Sequence, residues 1–116
     1  MVRQFNIRDR SYQFALDCIQ LTKSFPKKTE SFVIANQLIR SATSIAVNLS
    51  EGQGSVSRRE FSQYAATAKK SAIETLLWLK FCRDLNLSQP SQINDLLEEC
   101  EELVRIISAT VLKVKK

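Results

Sequence analysis

Two glycines and two prolines are all that this chain of 116 residues has for making sharp turns. An all-β domain of this size needs a turn signal roughly every 8–12 residues, so a sheet architecture is excluded at the outset. The apolar residues instead recur at spacings of three and four, the period of a helix with one buried face. The breakers fall in three places: Phe25-Pro26, the stretch from Gly52 to Ser57, and Asn86 to Ser91 around Pro90. They divide the chain into helices predicted at 6–24, 28–53, 57–86 and 90–115. Short connections make consecutive helices antiparallel neighbours, so the predicted fold is an all-α, up-down-up-down four-helix bundle occupying residues 1–116 as one domain. With 44% hydrophobic residues there is apolar material for a single core and none to spare for a second. No stretch approaches the roughly 20 apolar residues of a membrane span, and the opening MVRQFNIRDRS has no secretory apolar run, so the expected location is cytoplasmic, with no membrane partner.

The fourth helix has the clearest pattern. Ile93, Leu97, Cys100, Val104, Ile107, Val111 and Val114 alternate by four and three, with Leu96, Leu103 and Ile106 widening the face. Its acids, Asp95, Glu98, Glu99, Glu101 and Glu102, come early and Lys113, Lys115 and Lys116 come last, an order that complements the helix dipole. In the first helix Ile7, Phe14, Cys18, Leu21 and Phe25 form one row, with Tyr12, Ala15 and Ile19 beside it. In the second, the expected core face is Phe32, Ala35, Leu38, Ile39, Ala42, Ile45, Ala46 and Leu49. The three cysteines, Cys18, Cys82 and Cys100, are far apart and the chain has no histidine, so they read as buried apolar residues, neither a disulfide framework nor a metal site.

Two features go beyond core formation. Ser, Thr and Asn are poor in helix interiors, yet RSATSIAVNLSEGQGS is rich in them, and Gln37, Arg40, Ser44, Asn48 and Glu51 follow one another at spacings of three and four. They line up as one polar stripe, expected to bond internally, to Ser71 or Glu74 of the third helix, or across a subunit boundary, and so to fix helix register; the competing reading is a solvent-facing ligand site. The third helix opens with a capping box, Ser57-Arg58-Arg59-Glu60, and then turns Phe61, Tyr64, Ala65, Ala68, Ala72, Thr75, Leu79 and Cys82 to the core. Its second half carries a further apolar row, Ile73, Leu77, Trp78, Phe81 and Leu85. A peripheral bundle helix needs only one buried face, so this row is expected to be an oligomer interface, the alternative being that Trp78 wraps around the intramolecular core.

The run Gln37-Leu38-Ile39-Arg40-Ser41-Ala42-Thr43-Ser44-Ile45-Ala46-Val47-Asn48-Leu49-Ser50-Glu51-Gly52 resembles the second-helix signature of bacterial 23S rRNA intervening-sequence proteins. Leu21-Thr22 with Phe25-Pro26, Ser57 with Glu60-Phe61, and Ala68, Ser71, Glu74 and Trp78-Leu79 agree with that family in the same order along nearly the whole chain. The resemblance implies an antiparallel four-helix bundle assembling into a ring-like homo-oligomer, a pentamer in members of known structure. The family is similar in turn to accessory proteins of diversity-generating retroelements, basic pentamers that bind nucleic acid and a reverse transcriptase. The chain departs from the pattern at Ser41, at Ser55, where a basic residue commonly follows the glycines, and at Lys70.

Charge supplies the functional hint. Seventeen basic against twelve acidic side chains give a net charge of +5. Arg8 and Arg10, Lys27 and Lys28, Arg58 and Arg59, Lys69 and Lys70, and Lys80 and Arg83 are ten candidate phosphate contacts in five clusters, with Lys23 beside the second, that a ring would multiply into a phosphate-neutralising field. No helix-turn-helix, zinc finger or aromatic strand platform is present, so binding to RNA or DNA is expected to be directed at the backbone and non-specific in sequence. Nucleophile elbow and phosphate-loop motifs are absent, and without histidine the Glu-x-x-His pairs of di-iron bundles cannot be built. The expectation is a protein without catalytic activity, cofactor or metal. The alternative function is a protein-interaction adaptor that recruits another protein, such as a nucleic-acid enzyme.

Overall fold

A computed structural model describes residues 6–115, with side chains as far as Lys113. Val114, Lys115 and Lys116, assigned above to the apolar seam and the basic last turn, lie outside the described side chains. Four helices run through the described residues: α1 Ile7–Thr22, α2 Thr29–Gln53, α3 Arg58–Asp84 and α4 Pro90–Lys115. α1 packs on α2 and α4, and α3 packs on the same two, with no close backbone approach across either diagonal among the described residues. None of these helices is long and apolar enough to cross a membrane.

Local chemistry fixes the ends. Asn6 caps α1 by accepting from the Arg8 amide at 2.8 Å. Ser57 Oγ accepts from the Glu60 amide at 3.0 Å, and the Glu60 carboxylate reaches back to the Val56 amide at 3.4 Å, a capping box displaced by one residue. At the far end of α3, Asn86 takes a φ of 54° and Leu87 donates to the Cys82 carbonyl at 3.0 Å, closing the helix in a Schellman motif without glycine. Pro90 begins α4 at a position where no amide hydrogen is required.

The core draws on all four helices: Phe14 and Cys18, Leu38, Ala42 and Ile45, Ala68, Ala72, Leu79 and Cys82, and Ile93, Cys100, Leu103 and Ile107 are each at most 1% exposed. The alanines of α3 allow both of its neighbours to approach closely, and α2–α3 is the most extensive helix pair in the bundle. Gly52 belongs to the same contact, since a Cβ built there lies 3.3 Å from Cβ of Tyr64.

One core assignment is corrected. Phe32 is 58% exposed, and the buried face of α2 instead runs through Ser31, Ile34, Leu38, Ser41, Ala42 and Ile45. At about 100° per residue, position 32 lies roughly a third of a turn away from Leu38, so geometry outweighs the hydrophobicity of the side chain. In α4 the half-buried Val104 yields the centre of the face to Leu103, which is fully buried.

Candidate functional site

The polar residues of α2 form a ladder against α3. Ser44 Oγ and Ser71 Oγ are 2.8 Å apart, and the Asn48 amide donates to the Ser44 carbonyl at 2.8 Å and to its hydroxyl at 3.1 Å. One level along, Thr75 donates to Ser41 Oγ at 2.8 Å and to the Ser71 carbonyl at 2.7 Å, and Ser41 donates to the Leu38 carbonyl at 3.3 Å. These bonds set the antiparallel register, which places Gln37 of α2 level with Trp78 of α3. Of the predicted stripe, Ser44 and Asn48 join the ladder. Gln37 is half-buried and Arg40 and Glu51 are exposed, and none of the three side chains makes a hydrogen bond or ion pair among the described residues. Glu74 accepts from the Trp78 indole at 3.1 Å instead of meeting the stripe.

The Ser41–Thr75 pair was not singled out from the sequence, where Ser41 stood as a departure from a family pattern and Thr75 as one more core position. The signal available was the matched spacing of Ser41 and Ser44 with Thr75 and Ser71, which becomes meaningful only once the two helices are set in register.

The outward face of α3 divides into two halves. Its first half presents Arg59 and Lys70, with Arg58 and the half-buried Lys69 on the flank toward α4. Its second half presents Ile73 at 50%, Leu77 at 53%, Phe81 at 43% and Leu85 at 48% exposure, a row about 18 Å long at 1.5 Å rise per residue. Trp78 is half-buried; it packs on the core from the side while its ring lies 5.4 Å from that of Phe81. The indole thus meets the core on one side and Phe81 of the outer row on the other.

The ten basic residues nominated as phosphate contacts separate by their partners. Arg10 is engaged, its guanidinium meeting Glu99 through two bonds of 2.6 and 3.1 Å, and that contact makes it hold its proton more firmly still. Arg83 pairs with Asp84 at 2.8 Å, which holds the Asp84 carboxyl below the usual range, and Arg8 donates to Gln53. Lys27, Lys28, Arg58, Arg59, Lys69, Lys70 and Lys80 make no ion pair among the described residues. Topology gathers Lys27, Lys28 and Lys80 at the end of the bundle holding the α1–α2 turn, and Arg58 and Arg59 at the opposite end. Five of the twelve acids fall on the first half of α4, the half nearer the end with the α1–α2 turn.

The three thiols are fully buried on three different helices. Burial pushes Cys82 and Cys100 up to about 12 and raises Cys18 further, so all three are protonated at neutral pH and poor nucleophiles.

The family model described as "23S rRNA-intervening sequence protein" matches residues 3–109. Among solved structures, the chain is similar to a crystal structure of a protein of unknown function from the S23 ribosomal protein family of Bacteroides thetaiotaomicron, with a TM-score of 0.84 and 26% identity over 91% of this chain and 98% of that one. A search of curated proteins finds no match.

Proposed function

The chain belongs to the 23S rRNA-intervening sequence protein family, and from that premise we propose that it is a non-enzymatic, homo-oligomeric four-helix bundle that binds RNA or DNA through a basic surface. The observation that carries the proposal is the number of free cations: seven of the ten nominated residues have no ion-pair partner among the described residues, whereas Glu99 and Glu102 of α4 are taken up by Arg10 and Arg105. Cations free of internal partners are available to replace the counterions of a phosphate backbone, and their scatter over two ends and one helix face suits contacts without base readout. The exposed half of α3 supports the oligomeric part, because a second copy of the chain would remove Ile73, Leu77, Phe81 and Leu85 from water. Burial and protonation of the three thiols support the absence of cysteine-based catalysis.

The test is fluorescence anisotropy with a structured RNA and a duplex DNA at rising salt, alongside light scattering to give the mass. Binding to the duplex should fall with a log–log slope of about −0.9 for each phosphate neutralised, and replacing Lys27 and Lys28, or Arg58 and Arg59, by Ala should reduce that slope by about 2. Absence of binding at low salt, or a slope that neither pair changes, would refute the proposal. The same α3 row favours a second reading, an adaptor that recruits another protein through an apolar contact; such binding would survive salt and fail in Leu77→Asp.

A further inference from the structure

On the side of the bundle where α1, α2 and the first turns of α3 converge lies a cavity of about 520 Å³, lined among others by Tyr12, Val47, Glu51, Glu60 and Tyr64. Its composition runs against that of the whole chain. In a protein of net charge +5, these walls carry two carboxylates and no basic side chain. Neither carboxylate forms an ion pair among the described residues, and Glu60 spends one oxygen on the Val56 amide at a long 3.4 Å. The aromatic groups stand on opposite sides, Tyr12 on α1 and Tyr64 on α3, with α2 between them supplying Ala46 and the exposed Val47. A Cβ built on Gly52 would lie 3.3 Å from that of Tyr64, so α2 and α3 approach closely beside this wall. Tyr12 remains 61% exposed although its ring is large, so this wall is open to an incoming group.

Two aromatic faces and two unpaired carboxylates around an aliphatic floor match one chemistry. We propose that this cavity binds an alkylammonium or guanidinium cation, its charge held by Glu51 and Glu60, its head group lying against the tyrosine rings, and its methylenes resting on Ala46 and Val47. Such a group is carried by a free polyamine or by a lysine or arginine side chain of a protein. The site adjoins Arg58 and Arg59 at the start of α3 but is lined by neither, and it does not depend on the nucleic-acid reading above.

Tyr12 and Tyr64 are the only two tyrosines of the chain, so ring-labelled tyrosine gives nuclear magnetic resonance signals from both walls and from nowhere else. The intact protein is titrated with spermidine and, separately, with a blocked glycine pentapeptide bearing a central lysine, each to about 10 mM, a range that reaches weak single-contact affinities. Both rings should shift and saturate. Saturation with spermidine alone identifies a polyamine site, with the peptide alone a protein side-chain site, and with both a general cation pocket. Glu51→Gln and Tyr12→Ala, at exposed positions that leave the fold intact by circular dichroism, should each weaken binding about tenfold. Glu98→Gln on α4 should leave it unchanged. Rings that do not shift, or shifts that are insensitive to Glu51→Gln or equally sensitive to Glu98→Gln, would overturn the assignment.

Discussion

Replacing Thr75 by Val tests the α2–α3 ladder at its driest level. The substitution keeps the shape of the side chain and removes one hydroxyl, whose hydrogen is shared between Ser41 Oγ at 2.8 Å and the Ser71 carbonyl at 2.7 Å. Thr75 is fully buried and Ser41 is 4% exposed, so no water replaces what is lost. Ser41 keeps only its own 3.3 Å donation to Leu38, and its oxygen is left without a donor. A buried polar group stranded in this way costs about 1–1.5 kcal/mol. Ser41→Ala is milder, about 0.5 kcal/mol, because Thr75 retains the Ser71 carbonyl. In the double variant no stranded oxygen remains, so it should cost less than the two singles together by about 0.5–1 kcal/mol. For a chain of 116 residues the unfolding entropy is about 0.24 kcal/mol/K, so Thr75→Val alone should lower Tm by about 5 °C. Thermal and urea unfolding followed by circular dichroism, at one fixed protein concentration, gives all three values. Equal costs for the two single variants, or strict additivity in the double, would show that the bond does not carry the stability assigned to it.

Two further outcomes are expected. Phe32→Ser should change stability by less than about 0.5 kcal/mol because Phe32 is 58% exposed, whereas Phe14→Ala, at a side chain 1% exposed, should cost about 3–5 kcal/mol in the same urea titration. Alkaline pH should destabilise the fold. Burial raises Cys82 and Cys100 from 9.0 to about 12, so above pH 9 the unfolded chain loses thiol protons that the folded chain keeps. Stability that is complete below pH 9 therefore falls as pH rises toward 12, by at most about 1.4 kcal/mol per thiol per pH unit. Urea midpoints measured from neutral pH upward should show this decline, and it should be shallower in a Cys82→Ala, Cys100→Ala variant, which retains Cys18; a flat profile in the unsubstituted protein would count against it.

The helices were legible because their ends are marked chemically. Ser57 with Glu60, Pro90, and the break after Phe25 each stop or start a helix for a local reason that needs no knowledge of the partner. Faces were legible only as far as the period was followed strictly. Phe32 was drawn into the core by its hydrophobicity, while Ser31 and Ser41, at the geometrically correct positions, were hidden by their polarity. The polar stripe was legible as a row, but its short members reached α3 and its long ones did not. Ser44 and Asn48 have no choice but to bond nearby, whereas Arg40 and Glu51 reach solvent. The cation pocket was invisible because its walls come from three helices, and no pattern within one helix records which tyrosine faces which glutamate.

The unequal lengths of the helices have a consequence for how the molecule comes apart. α1 has 16 residues against 25 to 27 in the others, so it is about 14–17 Å shorter than they are at 1.5 Å rise per residue. Among the described residues its only ion pair to α4 is that of Arg10 with Glu99. It therefore has the least to lose by detaching, and its amide hydrogens should exchange with solvent through a partial opening in which α2 and α3 stay joined by their ladder. Amides at the centre of α2 and α3 exchange only when the whole domain unfolds, which gives the bundle two distinct thresholds of opening.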